Sequence, residues 1–405
     1  MRLNILAFAI PLFMTFILLE YFIARKKRLD YFHLQNSFAN ISIGIAERLL
    51  DVFTTGIFFF VYDFLHRHFA IFKISPSILL WVLLLICTDF VWYWYHRLAH
   101  EINLFWAVHV VHHQSNDFNY TVSARITVFQ AIVRTGFWSI LPILGFPPAM
   151  ITSMLLVHGL YPFFIHTRLI GNLGILEYIL VTPSHHRVHH ASNEEYLDKN
   201  YGDVFIIWDK LFGTFKKEEP GKEIVFGLTK PLKSYSFLWQ HFHFLIEIYI
   251  AVRKAGDWKK KLRIIFGKPI HIDPAIRDMA EKIYLSSKRQ SPQMGKLNRY
   301  VIWQLGITLF TLFIFILFEK NIDGFFQFSF ALLVLITLTN CGAIMEQKKW
   351  IVYLEFARVC IVAVTISYEY PNGWVFFIAL CAAAMLTSFF RTFQRHYLQL
   401  VYRTQ

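Results

Sequence analysis

The sequence predicts an all-α membrane protein, a bundle of about nine spanning helices with a histidine-rich site at one membrane face. Of its 405 residues, 56% are hydrophobic and only 17% are charged, whereas soluble domains carry about 25% charged residues. Apolar runs near 20 residues, the length that crosses a bilayer, recur along the chain. Eleven of the 18 histidines lie between His96 and His190.

Nine runs predict the spans, and the first is too long for a signal-peptide core. The runs cover residues 3–23, 40–62, 78–95, 126–144, 148–165, 300–318, 325–345, 351–367 and 374–390. The second is the least hydrophobic, because it carries Glu47, Arg48 and Asp51. The fourth and fifth should form a hairpin across Gly145–Pro148. The aromatic-rich Ser236–Val252 is expected to lie in the membrane interface.

Basic clusters beside these runs predict the orientation. Arg25–Arg28 follows the first run and Lys348–Lys349 follows the seventh, and cytoplasmic loops are enriched in Lys and Arg. The N-terminus is therefore expected outside, and the C-terminus and all histidine arrays on the cytoplasmic face. Because the basic residues cluster beside the apolar runs, we attribute the net charge of +13 to membrane topology and to contact with anionic headgroups. We therefore do not expect nucleic-acid binding.

The polar segment between the fifth and sixth runs suggests a division of the chain. Residues 1–298 would form a histidine-box membrane domain with a cap at 166–298. Residues 299–405 would form a C-terminal four-helix membrane region, in which His396 is the only histidine.

The histidine spacing predicts metal binding. The arrays are His96-Arg-Leu-Ala-His100, His109-Val-Val-His112-His113 and His185-His186-Arg-Val-His189-His190. Helical residues three or four apart share one face, and neutral imidazole is the commonest metal ligand. Nitrogen ligation suits iron, zinc or copper. Iron is favoured, because a histidine stripe beside apolar helices suggests oxidation of a lipid chain, which requires a redox metal and O₂.

In this order the three arrays resemble the membrane fatty acid hydroxylase and sterol desaturase superfamily. Two flanking stretches are similar to its ether-lipid branch, the alkylglycerol monooxygenases. They are His166-Thr-Arg-Leu-Ile-Gly-Asn-Leu-Gly-Ile-Leu-Glu177, which leads into the third array, and the segment Asp198–Phe215.

The resemblance implies a non-haem diiron centre that uses O₂ to hydroxylate the carbon next to an ether oxygen. It implies eight core ligands, His96, His100, His109, His112, His113, His186, His189 and His190, with His166 as a ninth. His185 would replace or support a ligand, and His158 is either a ligand or a packed hairpin residue. Glu101 would assist an imidazole or donate a proton, or else be a surface carboxylate. Asp89 would orient a ligand.

The expected partners are a membrane lipid, O₂ and an external electron donor, which is tetrahydrobiopterin in animal members or another reductant. A fatty acyl, sterol or carotenoid chain is an alternative substrate for the same site. A membrane metal transporter or sensor is the alternative from another class. The sequence does not predict the oligomeric state.

Overall fold

The computed structural model describes residues 3–232, 234–285 and 294–402, and most of these residues fold as helices. No β-strand occurs within those ranges; two isolated bridges join Leu180 to Phe205 and Ala191 to Phe226. The expected all-α class is confirmed.

The described residues form eighteen α-helices, which we number in chain order. They are α1 Ala9–Lys26, α2 Leu34–Phe69, α3 Ile78–Glu101, α4 Asn103–His109, α5 Gln130–Trp138, α6 Ile140–Leu144, α7 Pro148–His158, α8 Tyr161–Ile165, α9 Pro183–His189, α10 Ile207–Leu211, α11 Phe237–Lys254, α12 Trp258–Phe266, α13 Ala275–Tyr284, α14 Met294–Phe318, α15 Gly324–Met345, α16 Ile351–Glu369, α17 Gly373–Ser388 and α18 Phe390–Tyr402.

Long apolar helices make the chain a multi-pass integral membrane protein. Across the described ranges, seven stretches are long and apolar enough to span a bilayer, or eight if the bent pair α17 and α18 is one span. The seven are Ile5–Lys26, Leu34–Phe69, Ile78–Glu101, Pro148–Ile165, Leu297–Asn321, Gly324–Met345 and Ile351–Glu369. The count is lower than the nine expected.

One of the two missing runs, 374–390, falls in the bent pair α17 and α18. The other is 126–144, which does not form one continuous span. The Oγ1 atom of Thr127 donates to the carbonyl of Val108, and the helix begins only at Gln130. It is interrupted at Ser139, and Pro142 has no N–H to continue the helical ladder. Two short helices of 9 and 5 residues result, together about 21 Å long at 1.5 Å per residue, which is less than a bilayer core.

The chain divides into two compact units. The larger comprises Phe13–Lys233 and Trp239–Ser286, and the smaller comprises Met1–Leu12, Ser234–Leu238 and Ser287–Gln405. All three histidine arrays belong to the larger unit. The domain boundary near residue 298 stays a prediction.

Each unit has its own packed interior. In the larger, Leu84 of α3, Leu141 of α6 and Ile151 of α7 share one fully buried cluster. In the smaller, Asn340 of α15 donates to the Glu355 carboxylate of α16 (2.5 Å), and Arg358 pairs with that carboxylate at 3.1 Å. A hydrogen bond between helices satisfies polar groups that lipid would leave unpaired.

Candidate metal centre

The helices present the three arrays as side-chain rows. The first array occupies the last turns of α3, where His96 and His100 are four residues apart and share a face. The second begins at the end of α4 and continues through the 3₁₀ turn Val110–Gln114. The third lies on α9, which Thr182 caps, except for His190, which directly follows the helix.

Five of these imidazoles form one group with ligand atoms within 4.8 Å of one another: His96, His100, His109, His113 and His189. The Nε2 atoms of His96 and His109 are 3.0 Å apart, and those of His109 and His113 are 3.1 Å apart. All three arrays therefore contribute to this group.

Four further imidazoles form a second group by the same criterion: His112, His166, His186 and His190. Nε2 of His166 lies 3.2 Å from that of His112 and 2.9 Å from that of His186. The ring of His113 in the first group stacks on that of His190 in the second, with centroids 4.4 Å apart. The two groups are thus adjacent.

Backbone carbonyls select the same tautomer in four of these rings. Nδ1 donates to Tyr201 O in His96 (2.8 Å), to Lys199 O in His189 (2.9 Å), to Arg125 O in His112 (3.2 Å) and to Pro162 O in His166 (2.5 Å). A carbonyl only accepts, so Nδ1 carries the proton and a neutral ring presents a lone pair at Nε2. Such contacts orient and strengthen metal-ligating histidines.

Burial keeps the imidazoles neutral. Desolvation lowers the pKa of His166 to about 4. It also lowers the pKa values of His109, His112, His113, His186, His189 and His190 well below their usual range, with a smaller contribution from neighbouring imidazoles. A deprotonated ring is the form that binds a metal.

The converging imidazole nitrogens are better suited to binding metal ions than to hydrogen bonding with one another. Within the part of the chain that the structure describes, Nε2 of His100 and of His189 is buried without a hydrogen-bond partner. Buried polar atoms are normally satisfied, and lone pairs facing lone pairs repel. A cation at each group would resolve both problems, so the donor set is compatible with two metal ions.

Two residues support the site in roles that the sequence did not assign to them. The Asp209 carboxylate accepts from the N–H groups of Tyr201 (2.7 Å) and Gly202 (2.8 Å), and so fixes the carbonyl that holds His96. Buried Arg125 donates from Nε to Val111 O (2.7 Å), and its other nitrogens reach Asn40 and Gln114. These roles depend on the backbone, and no spacing pattern in the sequence reveals them.

His158 belongs to neither group. Its Nε2 lies 2.9 Å from Asp89 Oδ1 and its Nδ1 lies 2.9 Å from Asp203 Oδ2, so both nitrogens are occupied by carboxylates. Asp89 also accepts from Val204 N, Phe205 N and the Trp208 indole at 2.9–3.1 Å. These three acidic and histidine side chains are also close enough to hold an ion, but their hydrogen bonds make them an anchor for residues 203–208.

His185 and Glu101 also lie outside both groups. Nδ1 of His185 accepts from Thr182 N–H (3.3 Å) and so helps to cap α9. Glu101 ends α3, and its carboxylate pairs with Arg97 at 3.0 Å with 31% of the side chain exposed.

A polytopic membrane protein with nine histidines in two adjacent groups has the arrangement of the histidine-box membrane proteins, and its donor set is compatible with a metal site. The profile of the family named fatty acid hydroxylase matches residues 81–214, which include all three arrays. The human protein named alkylglycerol monooxygenase is 33% identical over 86% of this chain and 80% of its own length. The zebrafish (Danio rerio) protein of that name is 31% identical over 89% and 82%.

The chain therefore belongs to the fatty acid hydroxylase family, among its alkylglycerol monooxygenase relatives, and the expected family is confirmed. A shorter match joins 36% of the chain to 45% of the ornithine lipid hydroxylase OlsE of Rhizobium tropici, at 30% identity. No solved structure matches the chain.

Proposed function

We propose that this protein is an integral membrane non-haem diiron monooxygenase that cleaves alkylglycerol ether lipids. The observation that carries the proposal is the pair of adjacent imidazole groups, five and four histidines, in a chain whose similarity to alkylglycerol monooxygenases extends over most of its length. The hydroxylated substrate would be a hemiacetal, which separates into a fatty aldehyde and a glycerol derivative.

In this proposal, nine histidines would hold two iron ions. His96, His100, His109, His113 and His189 would ligate one iron, and His112, His166, His186 and His190 the other. When bound, the diiron centre supplies the activation of O₂ that no side chain provides. His185 is left out of the ligand set, because its Nδ1 accepts the Thr182 N–H.

The protein's own residues set the ligand geometry. The carbonyls of Tyr201, Lys199, Arg125 and Pro162 hold four rings with Nε2 directed inward. The low pKa values of the buried rings keep them unprotonated at neutral pH. Glu101, one residue beyond His100, is the proposed source of a proton, for which its partial exposure gives a route to solvent.

The reductant comes from outside the chain. Its four cysteines, Cys87, Cys341, Cys360 and Cys381, are all unpaired and lie in apolar runs without the clustered spacing of an iron–sulfur site. A reduced pterin such as tetrahydrobiopterin is the proposed electron donor.

We propose that the site lies at the cytoplasmic membrane face.

The test is turnover by the purified, reconstituted chain with an alkylglycerol, O₂ and reduced tetrahydrobiopterin. We expect fatty aldehyde formation that consumes O₂ and is lost in His112→Ala. Aldehyde formation that continues in His112→Ala would contradict the proposed site. A matched assay with a free fatty acid examines the alternative substrate: hydroxylation of that chain with no ether cleavage would overturn the ether assignment.

A further inference from the structure

An exposed basic helix, α12, has an outer face that no described residue covers. Trp258, Leu262 and Phe266 follow one another at helical spacing of four, so they form one row. They are 65%, 44% and 56% exposed. The helix contains no acidic residue and exposes four basic ones, Lys259, Lys260, Lys261 and Arg263.

A neighbouring side of α12 is fixed to the protein. Ile264 and Ile265 are partly buried against the cluster that contains Val110 and Val111 of the second histidine array. The Asp257 carboxylate accepts from Lys260 N–H at 2.9 Å and caps the helix start. The outer row is therefore presented in a defined orientation.

Contacts to Asn103 place α12 beside the end of a membrane span. Asn103 follows the spanning stretch Ile78–Glu101 by two residues. Its N–H donates to Gly267 O (2.8 Å) and its side-chain amide donates to Ile264 O (2.7 Å). Because a span ends where the hydrocarbon core ends, α12 lies at the level of the headgroups.

We propose that α12 is an in-plane membrane-surface helix that binds anionic phospholipid headgroups. The Trp258, Leu262 and Phe266 row would enter the boundary of the acyl chains, and the Lys and Arg side chains beside it would pair with lipid phosphates. The charge of the helix supports an anionic lipid over a zwitterionic one, since each basic side chain near such a surface contributes favourably. This surface is independent of the proposed enzymatic activity.

The test uses the full chain reconstituted in mixtures of phosphatidylcholine and phosphatidylglycerol, with one of the two brominated to quench tryptophan. The difference between wild type and Trp258→Phe isolates the fluorescence of Trp258. We expect both brominated lipids to quench it, and phosphatidylglycerol to quench it more strongly. No quenching of this signal by either lipid would overturn the proposal, because Trp258 would then be covered by protein or lie in water.

A matched pair of variants tests the charge. In Lys261→Gln we expect the preference of Trp258 for phosphatidylglycerol to fall by roughly five-fold. Lys217→Gln removes the same charge from another exposed position of the same unit and should leave the preference unchanged. An equal fall in both variants, or no fall in Lys261→Gln, would contradict headgroup binding by α12.

Discussion

Four imidazoles in the centre have one nitrogen held by a backbone carbonyl and the other left for a ligand. In His96 and His189, Nδ1 is committed to a backbone carbonyl, so the ring cannot rotate without losing a buried hydrogen bond. In His185 the pattern differs, because its Nδ1 accepts from the backbone and its Nε2 lies 3.9 Å from Glu177. Neighbouring histidines in one array therefore have different roles.

His112→Ala and His185→Ala form a matched pair that tests this difference. Loss of His112 leaves three imidazoles in its group, and we expect the purified variant to lose most of one metal ion per chain. His185→Ala should keep the wild-type metal content, with at most a small loss of stability from the altered helix cap. Inductively coupled plasma mass spectrometry of both proteins measures the outcome. Equal metal loss in the two variants would contradict the two-group assignment.

At the scale of the elements, hydrogen bonds from loops hold the histidine-bearing helices in place. Asp89 of α3, His158 of α7 and Asp203 of the loop between α9 and α10 are joined by buried contacts, and each side chain is at most 4% exposed. The same loop supplies the Tyr201 carbonyl to His96. These contacts thus connect α7 to α3, the helix that carries the first histidine array.

We expect His158→Ala to destabilise the protein by about 3–5 kcal/mol, because it leaves two buried carboxylates without their shared partner. Movement of the loop should also weaken metal binding by about 10- to 100-fold, as loss of outer support does at other metal sites. Thermal unfolding in detergent and metal titration measure the two effects. The control is His68→Ala, at an exposed position of α2. An unchanged metal affinity in His158→Ala would show that His158 does not position the histidine ligands.

The sequence predicted which histidines converge better than it predicted the elements that hold them. His96 and His100 share a helix face by spacing alone, and their grouping with His189 follows the expected metal site. The partition into five and four was not predictable, because it depends on the 3₁₀ turn that directs His112 and His113 into different groups. Hydropathy failed at 126–144, where Pro142 and the contact of Thr127 with Val108 shorten the helix.

At the scale of the whole molecule, the position of His166 constrains the membrane topology. Its Nε2 lies 3.2 Å from that of His112, so the 53 residues between them leave and return to the same place. The short helices α5 to α8 therefore form a hairpin with both ends at the site, as the sequence predicted, although its first arm is not a full span. We therefore expect this excursion to leave the sidedness of the later segments unchanged.

Introduced cysteines can test the resulting topology. If the hairpin returns to the membrane face from which it starts, three variants should react with a membrane-impermeant maleimide from the same side: Lys27→Cys, Lys217→Cys and Lys349→Cys. We expect that side to be the cytoplasm. Lys73→Cys, Lys320→Cys and Asn372→Cys should react only from the other side, because each lies at or just beyond the far end of a span adjoining the first set. All six native positions are exposed, so the membrane rather than burial controls access.

The unmodified chain, with its own four cysteines, sets the background. Labelling of Lys27→Cys and Lys217→Cys from opposite sides would show that the hairpin crosses the bilayer, and the common cytoplasmic face of the histidine arrays would then be wrong.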